Sequence, residues 1–390
     1  MTRKTKSQLS AEATLLAAKR MSRRTVLTRA AALGTVAAVG PWLVKDAFSS
    51  SGELNYMGWA GYDYKPVTEP FTAATGIKVN FTEQPDNDTI FAQAKLSLQT
   101  GAFDVVEPTV DRTQSYVENG IVQPWDTSKV SMDNYLPGLA DGNAGEMASI
   151  DGKRYFLPGV WGTEALVFNR DEKPLEYGTA SLGDLWGDGL DGKVTVRAHS
   201  GLAALGRVMD AEGKLPHPFM DSYKDDEVMK ANWDVILAEA LNHKKNIVQF
   251  WKGENEAQAA FRTNGAILGL CWDSTGYNMG KEGPYGYIAP KEGAFAWNQG
   301  YMLLQNAKNV EQGHAWANWM TTPEGAAAMS LVFSANPVAK GAIELADAAV
   351  KDFYNAALPG DATAKLWWWP VQTSSYLKLR AEYADKFIAG

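Results

Sequence analysis

From Leu54 onward, short apolar runs alternate with helical patterns, and that alternation confines the chain to an α/β architecture. Leu54 to Trp59 predicts a strand. Val67 to Ala74 predicts a helix, with Gly76 at the position after its end, where a left-handed residue is needed. Ile77 to Phe81 alternates as a second strand. Asn87 or Asp88 is expected to cap a helix over Thr89 to Gln99 that stops at Gly101, and Phe103 to Val106 reads as a third strand. Further strands are expected at Lys193 to Arg197, Ile247 to Phe250 and Ala266 to Cys271. Helices are expected around Ala231 to Leu241, Glu254 to Thr263 and Val310 to Met320. There is no internal repeat and no low-complexity linker, so a second domain has to be joined by strands that cross over.

A chain of 390 residues is long enough for two lobes, and 45% apolar with 21% charged residues excludes a disordered tail. Residues 1–48 hold nine Lys/Arg and two Asp/Glu, so the net charge of −8 becomes −8 − 7 = −15 over the remainder. That sign excludes a nucleic-acid binder. The basic start contains Ser22-Arg23-Arg24-Thr25-Val26-Leu27, a twin-arginine signature. It is followed by an apolar run from Ala30 to Val44 and the small-residue stretch Ala47-Phe48-Ser49. This order reads as an export signal over residues 1–49, cleaved near Ser49. The run falls short of the ~20 residues a membrane span needs. The expected location is the periplasm. Cys271 is the only cysteine, so no intramolecular disulfide forms there.

Catalytic and metal-binding patterns are sparse. His199, His217, His243 and His314 lack metal-ligand spacing, Cys271 has no Cys-x-x-Cys partner, and no nucleophile elbow, phosphate loop or dinucleotide fingerprint is present. No cofactor is expected. A carboxylate pair assembled in three dimensions keeps an exported hydrolase open as an alternative. Aromatic residues are plentiful: thirteen of the fourteen tryptophans lie beyond the signal, several at strand ends beside Gly or polar residues. Trp59, Tyr62, Trp161, Trp272 and Trp297 are so placed, where open α/β sheets bind ligands, and an aromatic box suits an ammonium or an aliphatic chain. The Trp367-Trp368-Trp369-Pro370 run either lines a cleft or seals a lobe.

Several segments in order carry a resemblance. They are the Trp59/Tyr62 pair, Thr75-Gly76-Ile77-Lys78-Val79, Phe103 to Pro108, Asn119-Gly120-Ile121-Val122-Gln123-Pro124, Phe156 to Thr163, Ser181 to Trp186, Pro290-Lys291-Glu292-Gly293 with Trp297, and Thr322-Pro323-Glu324. The chain resembles the periplasmic solute-binding proteins of ABC importers, specifically the spermidine/putrescine-binding family. The resemblance implies a two-lobed clamshell, each lobe a mixed sheet flanked by helices, that is not an enzyme, works as a monomer and hands its solute to ABC importer permease subunits. A receptor feeding a sensor is a variant of the same reading. Hinge crossings are expected near residues 163, 298 and 343, giving one lobe of 50–162 plus 299–343 and another of 163–298 plus 344–390.

By the same resemblance the aromatic clamps are Trp59, Tyr62, Trp272 and Trp297, and Thr109 is the hydroxyl after the third strand. The family's acidic pair is absent. The segment after Lys193–Val196 reads Arg197-Ala198-His199-Ser200, and Gln299 stands where the family has Asp. A polyamine would be under-compensated, because each buried charge needs a partner. Arg197, His199 and Ser200 suit an anionic group, while the aromatic residues with Asp273 or Glu164 suit one amine. The expected ligand is therefore a small amine-containing or zwitterionic solute, with a true polyamine as the alternative. The opposing reading of Arg197 is a structural ion pair.

Overall fold

The computed structural model describes residues 52–390. The twin-arginine segment and its cleavage point lie outside the described residues. Strand β1 (Glu53–Trp59) carries the fully buried Tyr56 and Met57 and pairs in parallel with β2 (Lys78–Gln84) and β3 (Val105–Val106). Helix α1 (Lys65–Thr75) links β1 to β2 and ends at Gly76, whose φ of 76° supplies the left-handed stop. Helix α2 (Asn87–Thr100) links β2 to β3. Its cap is Asp86, one residue before the expected pair, with a carboxylate that accepts from the Thr89 N–H at 2.7 Å. That shift matters, because it leaves Asn87 and Asp88 free for other partners.

Two long strands follow. β4 (Leu157–Asn169) has 13 residues and is buried along almost its whole length, so it shows no polar alternation by which to find it in the sequence. Strand β5 (Val194–Val196) runs into α3 (Ala198–Ala211), β6 (Ile247–Phe250) precedes α4 (Glu254–Arg262), and β7 (Leu268–Trp272) leads into α5 (Asp273–Glu282). β8 (Phe295–Leu304) is the second long strand; α6 (Pro323–Phe333) and the last helix α7 (Ser374–Ala389) complete the elements that reach the site. The expected helices around Ala231 and Val310 span Asp226–Asn242 and Val310–Trp319.

The strands form one path in the order β2-β1-β3-β8-β4-β7-β5-β6 within a twelve-stranded sheet. β1, β2 and β3 form one parallel set, and β5, β6 and β7 form another. β8 and β4 lie antiparallel between the sets, β8 pairing with β3 near Met302 and with β4 from Phe295 to Tyr301, while β4 pairs with β7 from Glu164 to Phe168. The carboxyl ends of both sets therefore face the middle of these two strands. The backbone after β3 reaches Gln299, and β7 ends opposite Glu164. The middle is tight. A bulge falls between Gln299 and Gly300, and a Cβ at Gly300 would lie 2.1 Å from the Leu157 carbonyl oxygen.

Candidate functional site

A cavity of about 540 Å³, counting its open mouth, occupies the middle where the strand ends meet. Its wall includes Trp59, Tyr62, Thr109, Arg197, His199, Trp272, Trp297 and Gln299, eight of the ten residues expected from sequence. Ser200 and Asp273 stand behind the wall. Ser200 is buried at the start of α3 and accepts from Arg197 Nε at 3.0 Å. Asp273 is buried at the start of α5 and accepts from the Thr163 N–H at 2.5 Å and from Tyr354 OH at 2.6 Å. Those donors come from its own scaffold, and its carboxylate is not part of the cavity wall.

One end of the cavity is aromatic. Trp59 donates its Nε1–H to the Glu107 carbonyl at 2.7 Å and meets Trp272 edge to face, with ring centres 5.7 Å apart. The Tyr62 hydroxyl sits 3.0 Å from Ser274 Oγ, and its ring rests 4.3 Å from Phe333 of α6. Trp297 lies over Gly162, where a Cβ would come within 2.4 Å of the indole, and its buried Nε1 has no hydrogen-bond partner among the described residues. Thr109 is held by Asn87, which donates to its Oγ1 at 3.0 Å and accepts from its N–H at 3.2 Å. Gln299 Nε2 donates to Glu107 at 2.9 Å.

The other end is cationic. Arg197 stands where the two ends meet: it follows β5, lies between the Trp251 and Trp272 rings at 5.3 and 5.2 Å, and is paired with Glu164 at 2.5 Å. Arg112, Arg380, Asp111 and Gln372 also line the cavity and were absent from the sequence expectation, as were Asn87 and Phe333; Trp369 lines it too, one of the two places expected for the tryptophan run. Asp111 and Arg112 follow the third strand within six residues, a signal available in the sequence. Trp369 belongs to the conspicuous tryptophan run and stacks on Phe295, with ring centres 4.7 Å apart. No sequence signal marks Gln372 or Arg380, which come from the C-terminal segment.

Burial and charge shape the titration of these groups. Burial first, then the guanidiniums of Arg380, Arg197 and Arg112, hold the His199 pKa well below its usual value, so this imidazole is neutral at pH 7. Burial pushes Glu107 up to about 7 against the pull of hydrogen bonds from Tyr56, Tyr64 and Gln299. Burial likewise raises Asp273 to about 7, with Tyr354 and Thr163 opposing. Glu107 and Glu164 are both fully buried; Glu107 accepts from protein donors, whereas Glu164 accepts from Arg197 through Oε2 and its Oε1 has no hydrogen-bond partner among the described residues. The wall thus presents three guanidiniums and one carboxylate, Asp111. Adding the paired Asp88 and Glu164 gives three of each. Among the described residues no cluster of His, Cys, Asp and Glu is placed to hold a metal, and no helix is long and apolar enough to cross a membrane.

An aromatic and charged cavity set between the carboxyl ends of two opposed strand sets is built to enclose a small polar solute, and that defines the class of a solute-binding protein. The pattern of the family described as bacterial extracellular solute-binding protein matches residues 67–357, and the chain belongs to that family. The chain is 25% identical to the spermidine/putrescine-binding periplasmic protein of Escherichia coli over 310 residues, covering 78% of this chain and 81% of the relative. Among solved structures, the spermidine/putrescine substrate-binding protein PotD of Streptococcus pneumoniae matches with a TM-score of 0.66 at 20% identity. That match covers 87% of this chain and 98% of the other. The protein AgtB of A. tumefaciens R10, solved with agropinic acid, matches with a TM-score of 0.63 at 20% identity over 86% of this chain and 98% of the other. The fold is that of the two-lobed α/β periplasmic binding proteins. The protein is thus a periplasmic component of ABC import that binds a small molecule and works with a permease, and it is not an enzyme.

Proposed function

We propose that the solute is a zwitterion, an amine-bearing organic acid, captured between two lobes and handed to the importer by a monomeric receptor. The observation that carries this is the pairing on the wall: its three guanidiniums are already met by Asp88, Asp111 and Glu164, while the buried Glu107 and Asp273 behind the wall are engaged by their own protein donors. A ligand of net charge near zero keeps that balance, whereas a polyamine brings two or three ammonium groups that need acids of their own. The aromatic end suits the amine or its carbon chain, and an ammonium over a ring gains about 0.5–2 kcal/mol. The two solved neighbours bear on this, because one is a spermidine/putrescine protein and the other holds agropinic acid. Ligand choice then rests on the side chains in the cavity and not on the fold.

In the same proposal the lobes comprise 50–162 with 299–343 and 163–298 with 344–390, and bending occurs where β4 and β8 pass residues 163 and 298 and where the chain crosses near 343. The ligand favours closure because only the closed form offers both sides of the cavity. The polyamine reading has its own support in the names of the curated relatives and in the four aromatic clamps. Calorimetric titration of the ligand-stripped protein with spermidine, putrescine, 4-aminobutyrate and opines separates the two. Binding of zwitterions with weak or no response to spermidine is expected, and spermidine as the tightest ligand would overturn the proposal.

A further inference from the structure

Two guanidiniums meet at the cationic end of the cavity from distant parts of the chain. Arg112 follows β3 and Arg380 lies on α7; each side chain is only 4% exposed, and both line the cavity. Asp88, in the first turn of α2, bridges them: Arg112 Nη1 donates to its Oδ1 at 2.9 Å and Arg380 Nη2 approaches both oxygens at 3.1 Å. The network closes through Gln372, which accepts from Arg380 Nη1 at 2.8 Å and donates to Asp111 at 2.8 Å, with Asp111 lying 3.4 Å from Arg112 Nε. That last pair lacks hydrogen-bond geometry, so Arg112 Nε is a buried donor without a partner.

Like charges this close and this dry repel, and burial followed by Arg112 pushes the Arg380 pKa down to about 10. Asp88 relieves that repulsion without being part of the cavity wall, and 62% of its side-chain surface is open to solvent. The cavity wall beside the pair carries one carboxylate, Asp111, and its Oδ2 is already engaged by Gln372.

Resting on the zwitterion reading above, we propose that the Arg112–Arg380 pair is the receptor for the acid group of the ligand and that Asp88 is its resident counter-ion. The pair then determines specificity for acid-bearing solutes. Because its members are 268 positions apart and meet only when the C-terminal segment lies against the β3 side, an acid bound between them ties recognition to the closed arrangement. A planar carboxylate matches the fork of a guanidinium, and charge-assisted bonds of this kind are roughly twice as strong as neutral ones.

The test uses acetate as the smallest carboxylate, with chloride at equal ionic strength as the reference, and follows thermal unfolding. Acetate is expected to raise the melting temperature of the wild-type protein by a few degrees over chloride. Asp88→Asn removes the competing carboxylate and is expected to lower the half-saturating acetate concentration several-fold. A residue with a merely structural role would move the melting temperature without that gain. Arg380→Gln is expected to abolish the acetate response and Arg380→Lys to keep part of it; if Arg380→Gln fails to fold, the Asp88→Asn comparison decides alone. An acetate response in Asp88→Asn no stronger than in the wild type overturns the inference. Tight spermidine binding with the acetate response intact would retire the zwitterion reading while leaving the acid receptor standing. Zwitterion binding with Asp88→Asn unchanged would do the reverse.

Discussion

The aromatic end and the guanidinium end of the cavity are built by opposite strategies. Trp59, Trp272 and Trp297 belong to the strands, and each ring is fixed by its packing neighbours: Trp59 by the Glu107 carbonyl, Trp272 by the Trp59 and Trp251 rings, Trp297 by the space over Gly162. The guanidinium end is held by charge among residues 88, 111, 112, 372 and 380, which no single element unites. One end is a rigid shape and the other a balance of charges. The first should respond to mutation through packing, and the second through the anion offered to it.

The sharpest way to break this contrast is Trp59→Ala. Trp59 is 4% exposed, so truncation is expected to cost about 3–5 kcal/mol of stability along with ligand binding, seen in denaturant unfolding. Trp297→Ala, at a partly exposed ring with no hydrogen bond to lose, is expected to weaken ligand binding with a smaller drop in melting temperature. Equal stability losses for the two would mean that Trp297 is as structural as Trp59.

Next in size is a pH effect from acids behind the aromatic end. Glu107 and Asp273 hold their protons to about pH 7 in the folded chain and release them near 4 when unfolded. Between these values the native state binds more protons, so stability falls as pH rises from about 4.5 to 7, by roughly 3 kcal/mol for each group. Glu107→Gln is expected to flatten that decline in a series of melts across pH 4.5 to 7.5. An unchanged slope would show that Glu107 is already ionised in the fold.

Gly162→Ala places a Cβ 2.2 Å from Asp273 Oδ2 and 2.4 Å from the Trp297 ring. The expected cost is about 1–3 kcal/mol, with weaker ligand binding as the indole is displaced. A variant with native stability and affinity would mean that this end has slack. The smallest effect is expected from Thr109→Ala, which removes one side-chain bond to Asn87 at about 1 kcal/mol, measurable as a small shift in denaturant midpoint.

The sequence carried the α/β alternation because local signals agree with the fold there. Gly76 and Gly101 stop their helices with left-handed backbone, and the strand at Ile247–Phe250 falls where the apolar run predicts it. The aromatic end was legible for the same reason: in an α/β sheet a strand end is a site whichever way the chain continues. β4 and β8 were marked only as hinge crossings, since strands buried on both faces lose the alternation that reveals a strand. Arg197 shows how a residue type alone leaves two readings open. The structure gives it both a buried partner, Glu164, and a place in the cavity wall.

What the sequence determined by itself is the class of fold, the compartment and the aromatic half of the cavity wall, all of which follow from patterns within a few residues of one another. The tertiary structure decided the charged half. Asp88 became available because Asp86 capped α2 in its place, and Arg380 reached Arg112 because the last helix packs back toward the strand ends. Ion pairs between residues nearly three hundred positions apart leave no local trace. They arise only when folding has removed water from both partners and made each the cheapest available compensation for the other.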